Sequence, residues 1–206
     1  ILLRSVSDRP QIFARIFASY GIPIQAATGA FFNFPEVADL ISLLKVIDNP
    51  LQDIPLIALL RSPFFGFTSN ELATIRMALP KGHFWNALNC FVENHAKSTK
   101  PPAEEESKGN TSANPLDEQT FERCERLISN YQQWLLSRRT ATIAGQIEEI
   151  LSSGFYVEFI SSLNPVRNPK IHIQQLIQIA QEFEKQPDAS LTHFLRWIDA
   201  LRESDH

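Results

Sequence analysis

The sequence lacks the motifs on which most nucleotide-driven and hydrolytic enzymes depend. It contains no Gly-x-x-x-x-Gly-Lys-Ser/Thr segment, the loop that cradles phosphates in P-loop ATPases. Gly-x-Ser-x-Gly and His-Glu-x-x-His, which mark serine hydrolases and zinc proteases, are absent as well. We therefore expect no complete catalytic site and no cofactor in these 206 residues.

Cysteine is scarce and long apolar runs are missing. The 2 cysteines, Cys90 and Cys124, form no Cys-x-x-Cys pair, and the 5 histidines never recur at metal-ligand spacing. We predict two reduced, buried thiols and no structural zinc site. No apolar run approaches the roughly 18 residues that a membrane helix needs, so no membrane span is predicted.

Positive charge is not in excess. The chain carries 19 Lys/Arg against 23 Asp/Glu, a net charge of −4, whereas DNA-binding domains are usually basic. The deficit lies beyond residue 96, so DNA contact by the second half would need a local basic patch. The single methionine, Met77, is internal, and the first residues do not form a signal peptide. We therefore read the chain as a piece of a longer cytoplasmic protein.

What is present indicates a mainly α protein with two parts. Residues 1–30 predict a strand, a helix and a strand, a βαβ piece of the kind found in parallel sheets. Residues 31–206 show helical periodicity and predict a helical domain of eight or nine helices. Within it, residues 97–115 contain no large apolar side chain and predict a disordered insertion.

Local signals predict where individual helices begin and which side chains they bury. Thr68 with Glu71 three positions on has the pattern of a capping box, and Asn33 with Glu36 resembles one. Asp53 is expected to cap a short helix that ends at Arg61, and Ser190 to cap the last helix. On a helix further along the chain, side chains at helical spacing are predicted to face inward, namely Phe121, Cys124, Ile128, Tyr131 and Leu135.

Several segments together resemble the UvrD/AddA-like superfamily 1 DNA helicases. They are Leu2-Leu3-Arg4-Ser5, Thr28 to Leu40, Asp48-Asn49-Pro50, and Leu60-Arg61-Ser62-Pro63-Phe64-Phe65-Gly66. The spelling is closest to AddA/RexA helicase–nuclease subunits, and the resemblance is dense over residues 1–76. It implies that residues 1–30 begin the second RecA-like motor lobe and that residues 31–206 are the 2B-like accessory domain inserted in it.

The resemblance also implies the activity and partners of the parent protein. The parent would be an ATP-dependent DNA helicase of bacterial DNA repair and recombination, using ATP and Mg, in the cytoplasm with the nucleoid. Its partners would be DNA at a duplex/single-strand junction, the missing motor lobes of the same chain, and an AddB-like subunit. Whether a nuclease domain follows stays open.

Individual residues inherit candidate roles from the same resemblance. Arg4 would contact the ATP γ-phosphate held by the first lobe, and the alternative is an exposed arginine at a strand end. Phe31 and Phe32 are candidates for stacking on DNA bases, and the alternative is that they seal the core at the junction.

The segment around Pro63 matches a hairpin that grips duplex backbone in UvrD relatives, where the sequence is Thr-Pro-x-x-Gly-Ile-Gly. This chain keeps Pro63 and Gly66 but has Phe67-Thr68 in place of Ile-Gly. The candidates for DNA contact are Arg61, Ser62, Gly66, Thr68 and Ser69. A purely structural helix hairpin is the alternative for this segment.

A different class of function fits the composition as well. The acidic balance and the aromatic content of 15 Phe, 3 Trp and 3 Tyr are compatible with a helical protein–protein docking module that does not bind DNA. The pair Arg138-Arg139 forms one of the few basic clusters in the second half, and we expect it to be a solvated helix end.

Overall fold

The computed structural model describes residues 29–99, 115–138, 141–152 and 169–204. These residues form eight α-helices and one 3-10 turn, and no strand occurs among them. The 3-10 turn is Gly29–Asn33. The helices are α1 (Pro35–Asp48), α2 (Asp53–Arg61), α3 (Ser69–Ala78), α4 (Phe84–Thr99), α5 (Pro115–Ser137), α6 (Ile143–Ser152), α7 (Pro169–Phe183) and α8 (Leu191–Ser204).

The helices pack around one continuous apolar core, with α1 at its centre. Helix α1 contacts α2, α5, α7 and α8, and the 3-10 turn packs on both α1 and α8. The apolar side chains of α1 at helical spacing are buried, namely Val37, Leu40, Ile41, Leu44 and Ile47. On the other side, α3 pairs with α4, which also contacts α2 and α5. The mainly α prediction is therefore confirmed for the described residues.

Two helix starts follow the local signals. Thr68 precedes α3, its side chain accepts a hydrogen bond from the Glu71 N–H, and the full capping box is present. Ser190 precedes α8 and its hydroxyl accepts from the His193 N–H at 3.3 Å. Such caps satisfy N–H groups that have no partner within the first helical turn.

Two other helix starts differ from the prediction. Helix α1 is preceded by Phe34 without a side-chain cap, so the Asn33–Glu36 capping box is wrong. Glu36 is buried and pairs instead with His172 on α7. Asp53 is the first residue of α2 rather than its cap. Its carboxylate accepts from the Phe84 N–H at 2.8 Å and so caps α4, a helix distant in sequence.

The inward stripe of α5 is also displaced from its predicted position. Cys124 is fully buried, but Leu135 is 41% exposed. The neighbouring Trp134 faces the core in its place, together with Leu127. The buried positions, Thr120, Cys124, Leu127 and Trp134, keep helical spacing, so the buried face of α5 is rotated by about one residue from the stripe chosen from the sequence.

Some predictions fall on residues outside the described part of the chain. These are the βαβ piece in residues 1–28, with Arg4, and most of the predicted insertion 97–115. The described helices extend into that insertion at both ends, because α4 continues to Thr99 and α5 begins at Pro115.

Candidate nucleic-acid interface

The turn between α2 and α3 is held by hydrogen bonds from Ser62. The Ser62 hydroxyl donates to the Leu59 carbonyl at 2.7 Å and accepts from the Phe64 N–H at 3.3 Å. Its own N–H donates to the carbonyls of Ala58 and Leu59, which ends α2. Ser62 is only 5% exposed. Its hydroxyl is therefore occupied in shaping the turn, and in this arrangement it does not face a ligand.

Gly66 lies at the tip of the turn in a left-handed conformation. Its φ is +62°, and an added Cβ would have open space, so the backbone angle alone is what favours glycine here. The Gly66 N–H donates to the Ser62 carbonyl at 2.8 Å, and the Phe67 N–H donates to the Leu60 carbonyl at 2.9 Å. The tip therefore has a defined shape and an exposed backbone.

The start of α3 already carries a carboxylate of the chain. Glu71 Oε2 accepts from the Thr68 N–H at 2.7 Å and from the Thr68 hydroxyl at 2.8 Å. A helix N-terminus attracts anions because its N–H groups point outward and the helix dipole is positive there. Since Glu71 sits at this terminus, part of that attraction is satisfied internally.

Two residues of α5 complete this arrangement, and no local sequence signal predicted either of them. The Thr120 hydroxyl donates to Glu71 Oε1 at 3.1 Å, and the Arg123 guanidinium pairs with the same oxygen. Arg123 also donates to the carbonyls of Phe65 and Gly66, each at 3.2 Å. Its guanidinium carbon lies 4.6 Å from the centre of the Phe67 ring, a cation–π contact.

Four of the five candidates in this segment face solvent. Arg61, Gly66, Thr68 and Ser69 are exposed, whereas Ser62 is buried beneath them. Within the described residues, the Arg61 guanidinium forms no ion pair. The turn therefore presents the Arg61 guanidinium and the Ser69 hydroxyl as donors for phosphate oxygens, whereas the Gly66 N–H and the Thr68 hydroxyl already donate within the chain.

Phe31 and Phe32 do not share this surface. They are 5% and 0% exposed, in the 3-10 turn that packs against α1 and α8. The Phe32 ring meets the rings of Phe31 and Trp197 edge-on, with centres 5.3 and 6.1 Å apart. The Phe32 carbonyl accepts a hydrogen bond from Arg202 on α8. This burial favours the interpretation that both rings seal the junction core.

Arg138, which we expected to be a solvated helix end, is engaged with the interior. Its guanidinium pairs with Asp48 Oδ1 at 2.6 Å and donates to the Ile47 and Asp48 carbonyls at 3.2 and 3.1 Å. Those carbonyls end α1, where a positive charge is favourable. The same Asp48 oxygen accepts from the Thr192 hydroxyl at 2.7 Å, so the contact joins α1, α5 and α8. Arg139 lies outside the described residues.

The remaining predictions concern thiols, metals and membranes. Cys90 and Cys124 are both free thiols, and Cys124 is buried, as predicted, whereas Cys90 is partly exposed. Burial raises the pKa of the Cys124 thiol to about 12. The described ranges contain no group of three His, Cys, Asp or Glu residues able to hold a metal ion. None of their helices is long and apolar enough to cross a bilayer.

Comparison with known proteins finds similarity across almost the whole chain. No protein-family model matches it. The A-type subunit of the ATP-dependent helicase/nuclease of Geobacillus thermodenitrificans is 33% identical over 204 residues, and that of Geobacillus kaustophilus is 34% identical over 204 residues. The corresponding protein of Heliobacterium modesticaldum is 34% identical over 205 residues. Each match covers 98% of this chain but only 14–15% of the relative. The chain is therefore homologous to a small portion of these bacterial proteins.

Proposed function

We propose that this chain is a non-catalytic part of an AddA-type, ATP-dependent DNA helicase/nuclease and that its helical region contacts duplex DNA and regulates unwinding. The observation that carries the proposal is the similarity to such proteins over 98% of the chain. In this proposal residues 1–30 begin the second RecA-like motor lobe, and residues 31–206 are the accessory domain inserted in it. The whole protein would work in DNA repair and recombination in the bacterial cytoplasm.

The motifs in the sequence indicate which part of the parent protein would bind the nucleotide. Its sequence has no phosphate-binding loop, so ATP and Mg would be held by the motor lobes elsewhere in the parent protein. Arg4 would reach the γ-phosphate from the second lobe, a task suited to a permanently charged guanidinium. We expect the isolated chain to show no ATP turnover above a mock purification.

The proposed DNA contact is the exposed face of the α2–α3 turn, which we call the 61–69 turn. Arg61, Gly66, Thr68 and Ser69 form this face, and Ser62 supports it from below. Contacts of this kind go to the phosphate backbone, so they position a duplex without reading its sequence. One cation and the Ser69 hydroxyl would supply modest affinity, as suits a regulatory contact within a larger motor.

The test is binding of a labelled forked duplex, measured by fluorescence anisotropy over a series of salt concentrations. The logarithm of the binding constant falls with the logarithm of the salt concentration, and each phosphate contact that is lost makes this slope less negative by about 0.9. We expect Arg61→Gln to weaken binding and to reduce the magnitude of the slope by about that amount. Arg196→Gln is the matched control, because Arg196 is exposed on α8, whereas the 61–69 turn joins α2 and α3.

The outcomes separate the proposal from its alternative. No binding at low salt would refute DNA contact by the isolated chain. Equal losses in Arg61→Gln and Arg196→Gln would indicate non-specific attraction of any cation rather than a defined surface.

The docking alternative has one specific observation in its favour. Ile54 on α2 is 85% exposed and Met77 on α3 is 77% exposed. They neighbour Asp53 and Arg76, whose side chains form a 3.4 Å ion pair. The exposed apolar side chains of Ile54 and Met77 are suited to packing against a protein, and an AddB-like subunit or the motor lobes are the partners that the resemblance implies. Replacing Ile54 and Met77 with serine should weaken partner binding and leave duplex binding unchanged.

A further inference from the structure

The 61–69 turn is clamped by a residue that is far away in sequence. Arg123 reaches from α5 and bonds two successive carbonyls, those of Phe65 and Gly66, through one guanidinium nitrogen. Its other terminal nitrogen pairs with Glu71 at the start of α3. One side chain therefore holds the tip of the turn and the helix that follows it.

The geometry of this contact restricts the turn in a way that few side chains can. The guanidinium is planar and carries its donors in a fixed fork, so it fixes the orientation of the groups that it bonds. The two carbonyls lie on either side of the Gly66 Cα. The φ of Gly66 is +62°, and glycine by itself is conformationally permissive. The Phe67 ring beneath the guanidinium completes the contact. Arg123 therefore restrains the most adaptable point of the turn.

The contact also controls charge at the exposed face. Glu71 is 8% exposed, and its carboxylate bonds Thr68, which belongs to the face proposed to meet DNA. Without a cation beside it, this carboxylate would repel an approaching phosphate. Arg123 supplies that cation, and Thr120 donates an additional hydrogen bond to the same oxygen.

We propose that Arg123 is a positioning residue for duplex binding: it fixes the shape of the 61–69 turn and neutralises Glu71, without touching DNA. The proposal rests on the proposed function, because it assumes that the turn contacts phosphates. It differs from a direct role in one measurable respect. A residue that contacts phosphate reduces the magnitude of the salt slope even when its counter-charge is removed with it, whereas removal of a positioning residue together with its counter-charge changes affinity at an unchanged slope.

The first experiment measures forked-duplex affinity against salt for Arg123→Gln, Arg61→Gln and the Arg196→Gln control. Thermal unfolding is recorded in parallel, and binding is measured well below every unfolding transition. We expect Arg123→Gln to weaken binding about tenfold, because binding must then restore a turn that roughly one charge-assisted hydrogen bond had held. The salt slope is compared in Arg123→Gln/Glu71→Gln, which keeps the net charge, since an uncovered Glu71 carboxylate would itself alter the slope; it should equal that of the wild type. A slope whose magnitude is reduced by about 0.9 in that double variant would identify Arg123 as a direct phosphate contact and overturn the proposal.

Additional variants separate the two parts of the role. Arg123→Lys keeps the charge beside Glu71 but loses the fork, so it should bind more tightly than Arg123→Gln and less tightly than the wild type. The double variant Arg123→Gln/Glu71→Gln removes the repelling carboxylate and should regain part of the affinity. Equal affinity in the wild type and Arg123→Gln would overturn the proposal.

Hydrogen exchange keeps the inference testable apart from DNA binding. The N–H groups of Gly66 and Phe67 donate to Ser62 and Leu60, and these bonds define the turn. Both amides should exchange faster in Arg123→Gln and at the wild-type rate in Arg196→Gln. Faster exchange in a protein that does not bind duplex would refute the proposed function while supporting the clamp. Unchanged exchange would refute the clamp itself.

Discussion

Replacement of Phe32 by alanine should unfold the protein more readily without changing its affinity for DNA. The Phe32 side chain is 0% exposed and packs between Phe31 and Trp197. Truncation of a buried phenylalanine to alanine costs about 3–5 kcal/mol, since the lost burial and the remaining cavity both count. Loss of two edge-on aromatic contacts, each contributing about 0.5–1.5 kcal/mol, puts the expected cost in the upper part of that range.

The assay is urea unfolding followed by tryptophan fluorescence, with thermal unfolding as a second measurement. For a chain of this size each kcal/mol lowers Tm by about 2–4 °C, so the full effect corresponds to about 6–20 °C. Trp197 is a suitable reporter because it contacts Phe32 directly. Phe34→Ala is the control: Phe34 is 37% exposed and stacks on His172 with ring centres 4.1 Å apart. It should lose less stability than Phe32→Ala.

The opposite result would refute the reasoning. If Phe32 stacked on a base, its removal would cost about 1–3 kcal/mol of DNA-binding energy and leave the unfolding transition almost unchanged. A variant with wild-type stability and weakened binding would therefore show that the ring adds nothing to the core of the free protein and is available to DNA.

Two further predictions concern titrating groups. Burial, followed by repulsion from Glu36, raises the pKa of Asp39 from 3.8 to about 6. The folded state therefore binds this proton more tightly than the unfolded state does, and its stability falls as pH rises between those values. Asp39→Asn should stabilise the protein in urea unfolding above pH 6 and have little effect near about pH 4; a gain of equal size at both pH values would contradict this origin. Iodoacetamide should label Cys90 but not Cys124 in the native protein, and both in denaturant, because Cys124 is buried with a thiol pKa of about 12. Native labelling of a Cys90→Ser variant would disprove the burial.

The sequence predicted those features that depend on residues within about one helical turn of each other. The end of α2 at Arg61 and the Thr68–Glu71 capping box are examples, since the groups that hydrogen-bond in each lie three or four positions apart. Asn33 and Glu36 have the same spacing, but Glu36 instead pairs with His172, 136 positions away. Spacing alone could not separate the two cases, because the competing partner becomes a neighbour only when α7 packs on α1.

The same limit applies to the candidate interface. The resemblance indicated the turn through Pro63 and Gly66. That Ser62 would be buried, or that Arg123 would reach the turn across 58 positions, depends on how α5 lies against α3. A helical stripe identifies buried apolar positions, but it does not indicate which carbonyl a flanking arginine will reach.

Net charge is a poor guide to DNA binding in this chain because several of its cations form ion pairs and hydrogen bonds between its own helices. Arg123, Arg138 and Lys45 pair with carboxylates on other helices, and Arg202 bonds the Phe32 carbonyl. Burial even lowers the pKa of Arg202, with Asp199 acting in the opposite direction. Such cations stabilise the helix packing and attract a phosphate only weakly, since their charge is already balanced. Attraction to DNA therefore depends on the exposed cations and their positions, and the total of −4 conceals both. The exposed cation of the 61–69 turn, Arg61, is for this reason the substitution that tests DNA contact most directly.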